Sequence, residues 1–195
     1  MIFYAKSIRR VEIVLVLHGS RDPRYVESVD MFARRLGLRY VFLKDLRREP
    51  GAVYVPIFVA GGGDYRRAVA LSSSSVPPLA RWPGFGEYLK ALGAGIYIFH
   101  GGDDEEYVSD ILSLGLPYVF LEGRPSIGPE SCRDVGAPVV LTRGVIYDRI
   151  EAAWRRAGCR GRLLPPLFEQ EGFASYFSRA LREVLLAAGG DPKQL

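Results

Sequence analysis

The 195-residue chain contains no asparagine, two glutamines, two cysteines and two histidines, and only four of its 26 cationic residues are lysine. No apolar run approaches the roughly 20 residues that a membrane-spanning helix needs. The start, Met1 to Arg10, has no apolar stretch long enough for a secretory signal. Cys132 and Cys159 form neither a C-x-x-C pair nor a zinc-ligand spacing, which excludes a zinc ribbon and a disulfide-dense scaffold. They read as two separate thiols in a reducing cytoplasm, ordinary small residues with nothing to mark either as a nucleophile. The shortage of asparagine and glutamine is a depletion of thermolabile residues and hints at a hot-growing source. There is no G-K-[ST], no G-x-G-x-x-G and no G-x-S-x-G, so a nucleotide P-loop, a dinucleotide fingerprint and a hydrolase nucleophile elbow are missing.

What is present suits a globular chain with a real core: 48% hydrophobic and 25% charged residues. The charge is unevenly placed. Residues 1–97 carry 15 Lys and Arg against 8 Asp and Glu, and residues 98–195 carry 11 against 14. A basic half points to an anionic partner. The preference for Arg suits carboxylate or phosphate recognition through its planar fork, and equally suits a genome rich in Arg codons. The basic half has no cations interleaved with aromatics, so no nucleic-acid motif is read.

Apolar β-branched runs alternate with segments of helical period. Residues 11–17 read as a strand buried on both faces. A helix follows Pro23, with Val26, Val29, Phe32, Ala33 and Leu36 on one stripe and Gly37 as its stop. Further strands are expected at 40–43 and 52–60, with a helix opening near Asp64. Residues 72–84, rich in Ser and Pro, read as a linker, and a short helix at 86–92 follows. The second half echoes the first. Ile96-Tyr-Ile-Phe-His100-Gly-Gly repeats Leu15-Val-Leu-His18-Gly-Ser, and Pro117-Tyr-Val-Phe-Leu-Glu122 repeats Arg39-Tyr-Val-Phe-Leu-Lys44. Strands are expected at 95–99, 117–122 and 137–141. Helices are expected around Tyr107, Val108, Ile111 and Leu112, and around Ile146, Ile150, Ala153, Trp154 and Ala157. Leu164-Pro-Pro-Leu-Phe168 is taken to echo Tyr54-Val-Pro-Ile-Phe58, and a closing helix carries Phe173, Phe177, Leu181 and Leu185. The expected organisation is a first α/β repeat over 1–71, a linker and connecting helix over 72–94, and a second, degenerate repeat over 95–195. The fold class is α/β: two similar Rossmann-like halves with parallel sheets, helices on both faces and a cleft between them.

Ligands of such sheets bind beyond the carboxyl ends of the strands, where His18, Gly61–Asp64 and His100 are all expected. Two histidines in the same repeat position on that rim favour a metal role, with His18, Asp64 and His100 converging on an open position. Satisfied polar histidines are the simpler alternative. His18-Gly-Ser-Arg-Asp-Pro-Arg24 offers an anion cradle through backbone N–H groups, Ser20, Arg21 and Arg24, unless Ser20 or Asp22 simply caps the helix. Gly61-Gly62-Gly63 lets a ligand approach the backbone, with Arg66 and Arg67 on the next turn. Asp103, Asp104, Glu105 and Glu106 are most simply acids favoured at a helix start. Glu169 and Glu171 are candidate proton acceptors or a solvated helix start.

Strand-His18-Gly-Ser-Arg-Asp-Pro, followed by Val55-Pro56-Ile-Phe-Val-Ala-Gly-Gly-Gly63, resembles the sirohydrochlorin cobaltochelatase/ferrochelatase family of the CbiX type, the class II tetrapyrrole chelatases. The resemblance is good over residues 11–70 and is carried over 95–185 by the internal repeat. It implies two chelatase-like halves fused in one chain, and a cytoplasmic lyase that inserts a divalent metal without ATP. The metal, Co2+ first and Fe2+ or Ni2+ as alternatives, is then a substrate and not a resident cofactor. The macrocycle is sirohydrochlorin or a related anionic tetrapyrrole of cobalamin or siroheme-type biosynthesis. The resemblance makes His18 a metal ligand and proton acceptor, with Ser20 and Arg21 beside the macrocycle and Arg24, Arg66 and Arg67 pairing with its carboxylates. The family's second metal-binding His falls on Asp64, so the second ligand is Asp64 or His100; Ala174 is expected at the equivalent place in the second half. No nucleic acid or membrane is implied, and the chain is a monomer or homodimer. The rival readings are a non-catalytic tetrapyrrole- or metal-binding relic and a phosphate-handling α/β enzyme.

Overall fold

A computed structural model of the chain describes residues 12–189. Residues 1–11, with Val11 of the expected first strand, and residues 190–195 lie outside the described residues. The first half runs β1 (Glu12–Leu17), α1 (Pro23–Leu36), β2 (Arg39–Phe42), β3 (Ala52–Pro56), α2 (Gly63–Ser72) and α3 (Phe85–Ala91). The second runs β4 (Ile96–Gly101), α4 (Glu105–Ser113), β5 (Tyr118–Glu122), β6 (Val135–Pro138), α5 (Val145–Arg156), β7 (Arg162–Leu163) and α6 (Phe173–Ala187). All strand pairs are parallel, in a three-stranded sheet ordered β2-β1-β3 and a four-stranded sheet ordered β5-β4-β6-β7. The architecture is all-parallel α/β with two sheets flanked by helices. No helix among the described residues is long and apolar enough to cross a membrane.

Alternation along the central strands explains why both read as continuous apolar runs. Leu15 and Leu17 of β1, and Tyr97 and Phe99 of β4, enter one core common to both halves. Val14 and Val16 instead pack outward with Ala68 of α2, while Ile96 and Ile98 pack outward with Ile150 and Trp154 of α5. Each sheet is therefore covered on both faces, as parallel sheets require. The two halves meet through α1 and α6: Phe32 stacks on Phe168 with ring centroids 3.9 Å apart and also meets Phe173 and Phe177. The α1 helix starts as its sequence dictates, with Pro23 in the first turn, Asp22 as N-cap and Gly37 in the left-handed conformation at the C-terminus.

Backbone hydrogen bonds define the internal repeat and correct its alignment. Ile57 N donates to Val16 O and Val139 N to Ile98 O; Leu79 N donates to Phe58 O and Leu167 N to Val140 O. Trp82 Nε1 reaches Pro77 O as Gln170 Nε2 reaches Pro165 O. The counterpart of Pro165-Pro-Leu-Phe168 is thus Pro77-Pro-Leu-Ala80, not Tyr54–Phe58, and the counterpart of Val55-Pro-Ile57 is Ala137-Pro-Val139. The Ser/Pro-rich stretch read as a linker is packed, with Val76, Leu79 and Trp82 buried. Ser72 Oγ and Ser74 Oγ accept from Ser74 N and Val76 N, which fixes the path of the chain there. Ile111 faces the core as expected, whereas Leu112, expected on the same stripe, is 54% exposed, and Leu114 takes its place in the core.

The cysteines also depart from expectation. Cys132 and Cys159 are joined in a disulfide with Cα atoms 5.0 Å apart. The bond ties the entry of β6 to the exit of α5, at the end of the sheet opposite the carboxyl rim. Sequence spacing hides the pair because the crossover helix intervenes. Closing a loop of 27 residues restricts the unfolded chain, so reduction is expected to cost about 3–4 kcal/mol. For a chain of this size the melting temperature should fall by roughly 10 °C. Calorimetry with and without a thiol reductant measures the difference; equal melting temperatures would contradict it.

Candidate functional site

The carboxyl ends of β1 and β4 open together onto a cleft of about 380 Å³ between the two halves. Its walls are mostly apolar: Ile57, Phe58 and Val59 after β3 face Val139, Val140 and Leu141 after β6. One end continues into a space of about 240 Å³ lined by the Gly61–Gly63 and Gly101–Gly102 backbones. His18, Ser20, Asp64 and His100 all border the cleft, and Gly61, Gly62 and Gly63 line its glycine-rich end. His18 follows β1 directly, whereas His100 is still within β4.

The residue after each histidine must be glycine. Gly19 and Gly101 have φ of 93° and 86°, and a Cβ would press on Phe42 in one half and on Phe120 and the Glu122 carbonyl in the other. His18 Nδ1 lies 2.7 Å from its neighbour's carbonyl, Gly19 O. A carbonyl oxygen only accepts, so Nδ1 carries a proton in this contact and Nε2 is the nitrogen turned to the cleft. That nitrogen faces Asp64 Oδ2 at 3.4 Å, with both side chains more than half exposed. Two electron-pair donors aimed at each other repel unless a cation lies between them, either a proton or a metal ion.

His100 does not join them. Its Nε2 lies 3.7 Å from Glu122 Oε2, and Glu122 is held by Arg149 at 2.6 Å. The Arg149 guanidinium keeps the Glu122 carboxyl below its ordinary pKa, helped by His100. The repeat also shows what stands opposite Asp64. Gly62 and Gly144 are the N-caps of α2 and α5, so the residue two further on is Asp64 in one half and Ile146 in the other. Ile146 borders the cleft, while Ala174, the expected counterpart, is buried on α6. Among the described residues, no group of three or more His, Cys, Asp or Glu is arranged to hold a metal ion. The pair His18–Asp64 brings together one imidazole nitrogen and one carboxylate oxygen.

The anion cradle is filled by the protein itself. Asp22 Oδ1 accepts from Arg24 N at the start of α1, and Ser20 Oγ accepts from Asp22 N. Arg24 grips Asp22 at 2.6 Å and reaches across the cleft end to Asp148 of α5 at 2.7 Å. Arg66 spans the other end, to Asp104 at 2.7 Å and Glu106 at 2.9 Å on α4. Arg81 adds Glu106 and the buried Asp110, which also accepts from Gly61 N. Arg24 lowers the pKa of Asp22, Arg66 that of Asp104, and Arg81 with Arg66 that of Glu106, so all three remain charged. Arg24 and Arg66, expected to meet a ligand, therefore join the halves. Arg21 and Arg67 are exposed and form no ion pair among the described residues. Of the acids at the start of α4, Asp104 is the N-cap, accepting from Glu106 N and Tyr107 N. Glu169 is paired with Arg143, which borders the cleft.

Two tyrosines in the cleft wall escaped the sequence reading. Tyr25 Oη accepts from Gly19 N at 3.3 Å, and Tyr107 Oη from Gly101 N at 3.5 Å. Both lie six residues beyond the glycine, a spacing visible in each repeat once His18 and His100 are aligned. Burial pushes each phenol up to about 12, so both stay neutral. No protein-family model, curated protein or solved structure matches the chain.

Proposed function

We propose that the protein is a metal chelatase of the sirohydrochlorin cobaltochelatase type, a fused pair of chelatase-like halves that inserts a divalent metal into an anionic tetrapyrrole without ATP. The observation that carries the reading is the pairing of His18 Nε2 with Asp64 Oδ2, 3.4 Å apart at the mouth of an apolar cleft. With bonds of about 2.1 Å, that separation subtends roughly 108° at a metal ion, close to tetrahedral. One imidazole and one carboxylate leave the remaining positions to water, which a metal in transit must shed. Co2+ suits this mixed set, with Fe2+ and Ni2+ as alternatives that ligand type does not separate.

The chemistry balances simply. The free-base macrocycle loses two pyrrole N–H protons, gains one M2+ through its four nitrogens, and leaves the total charge unchanged. His18 and Asp64 deliver the ion from one face and are free to accept the protons as it leaves them. The apolar walls at 57–59 and 139–141 suit the flat ring, while Arg21 and Arg67, exposed and without an ion pair among the described residues, are the expected cations left for its carboxylates. Within this reading Asp64 is the second ligand, and His100 stays with Glu122.

Co2+ titration in the absence of macrocycle tests it. The wild-type protein should bind one Co2+ with the visible absorption of nitrogen and oxygen ligation, and Asp64→Ala should weaken binding about tenfold or more. Equal affinity in the two proteins would remove Asp64 from the site.

A further inference from the structure

His18 and His100, the N-caps Asp22 and Asp104, and the N-caps Gly62 and Gly144 keep one spacing along the chain. Residues 60–64 and 142–146 are therefore the same loop twice, one on each side of the cleft and its glycine-rich end. The first-half loop carries almost no side chains. A Cβ at Gly61 would strike Glu106, so that position is closed, whereas a Cβ at Gly63 would meet nothing within 4 Å. Packing does not require glycine at 63; its effect is open space beside Asp64.

The second-half loop fills the same positions. Arg143 stands where Gly61 does, Val145 where Gly63 does and Ile146 where Asp64 does, and all three border the cleft. Val145 is 58% exposed, an aliphatic side chain left in water at the cleft mouth, and Ile146 beside it is half-buried. Neither can ligate a metal. Arg143 is held in place: Nε donates to the two oxygens of Glu169 at 3.1 and 3.0 Å, and the guanidinium lies over the Tyr147 ring, 5.1 Å from its centroid. Its Nη1 and Nη2 make no hydrogen bond among the described residues. An aliphatic pair next to a guanidinium edge is the lining that suits a flat apolar body with carboxylates at its rim.

We propose that loop 142–146 is the macrocycle-holding side of the cleft: Val145 and Ile146 lie against one face of the ring and Arg143 pairs with a carboxylate at its edge, while loop 60–64 on the other side handles the metal. The assignment rests on the chelatase reading and deepens it, because the ion then enters the ring from the first-half face alone. The two halves, alike in fold, divide the two substrates between them.

Two titrations separate the sides. Free-base sirohydrochlorin, followed by its fluorescence without metal, should bind Val145→Ala and Ile146→Ala about tenfold more weakly than wild type, from the apolar contact each loses. Arg143→Gln should lose about the same factor, and its remaining affinity should depend less on added salt. Co2+ titrated without the ring should bind all three variants as it binds wild type. Val145 is exposed, so Val145→Ala keeps the fold and the test stands where Ile146→Ala is unstable. Ring affinity equal to wild type in the variants overturns the proposal and leaves the chelatase reading standing. Co2+ binding that falls in step with ring binding also overturns it, because the loop is then a general support of the cleft. A wild-type protein that binds no free-base ring ends the chelatase reading and this assignment together.

Discussion

Replacing His18 with alanine is expected to lower the rate of metal insertion by about 10²–10⁴-fold, the range typical for losing a positioned proton acceptor. His18 acts twice in the proposed reaction. Its Nε2 holds the ion beside Asp64, and the same nitrogen becomes free for a pyrrole proton when the metal departs. Nothing nearby replaces it, since His100 is turned to Glu122 and Ile146 offers no donor opposite. The loss should appear in the rate under saturating macrocycle more than in macrocycle affinity, because the apolar walls are untouched. Steady-state kinetics on His18→Ala measures both. A variant with weakened macrocycle binding but normal turnover would give His18 a binding role only.

Phe32→Ala is expected to destabilise the fold by about 3–5 kcal/mol, the cost of deleting a buried aromatic ring. Phe32 is 3% exposed on α1 and meets Phe168, Phe173 and Phe177, all from the second half. The cavity would open where the halves join, so both sheets should unfold together at a lower denaturant midpoint. Its neighbour Met31 is 56% exposed, and Met31→Ala should stay within about 0.5 kcal/mol of wild type. Chemical denaturation followed by circular dichroism compares them. A Phe32→Ala protein as stable as Met31→Ala would mean that the halves hold themselves up independently.

The alternation of strands and helices was legible because local patterns decide it. The unbroken apolar run at β1, the stripe on α1 closed by Gly37, and the i+4 row Phe173, Phe177, Leu181 and Leu185 each have one structural solution. The echo of His18-Gly-Ser in His100-Gly-Gly located both central strands and the cleft between them. What escaped was long-range. The Pro-Pro-Leu motif of the second half has two partners in the first, around Pro56 and around Pro78, and only strand pairing separates them. Choosing Pro56 hides Ile146 as the partner of Asp64. Arg24 and Arg66 looked available because their acids, Asp148 and Asp104, are distant in sequence and arrive from the other half. The disulfide was hidden for the same reason, across a crossover helix.

The most direct test is absorbance of sirohydrochlorin mixed with Co2+ and the wild-type protein, followed against the same mixture without protein. The account predicts conversion to the cobalt macrocycle faster than the uncatalysed reaction, with no ATP added and with one metal taken up per ring. A macrocycle that binds yet keeps its free-base spectrum with Co2+, Fe2+ and Ni2+ alike would contradict it and leave a binding protein in its place.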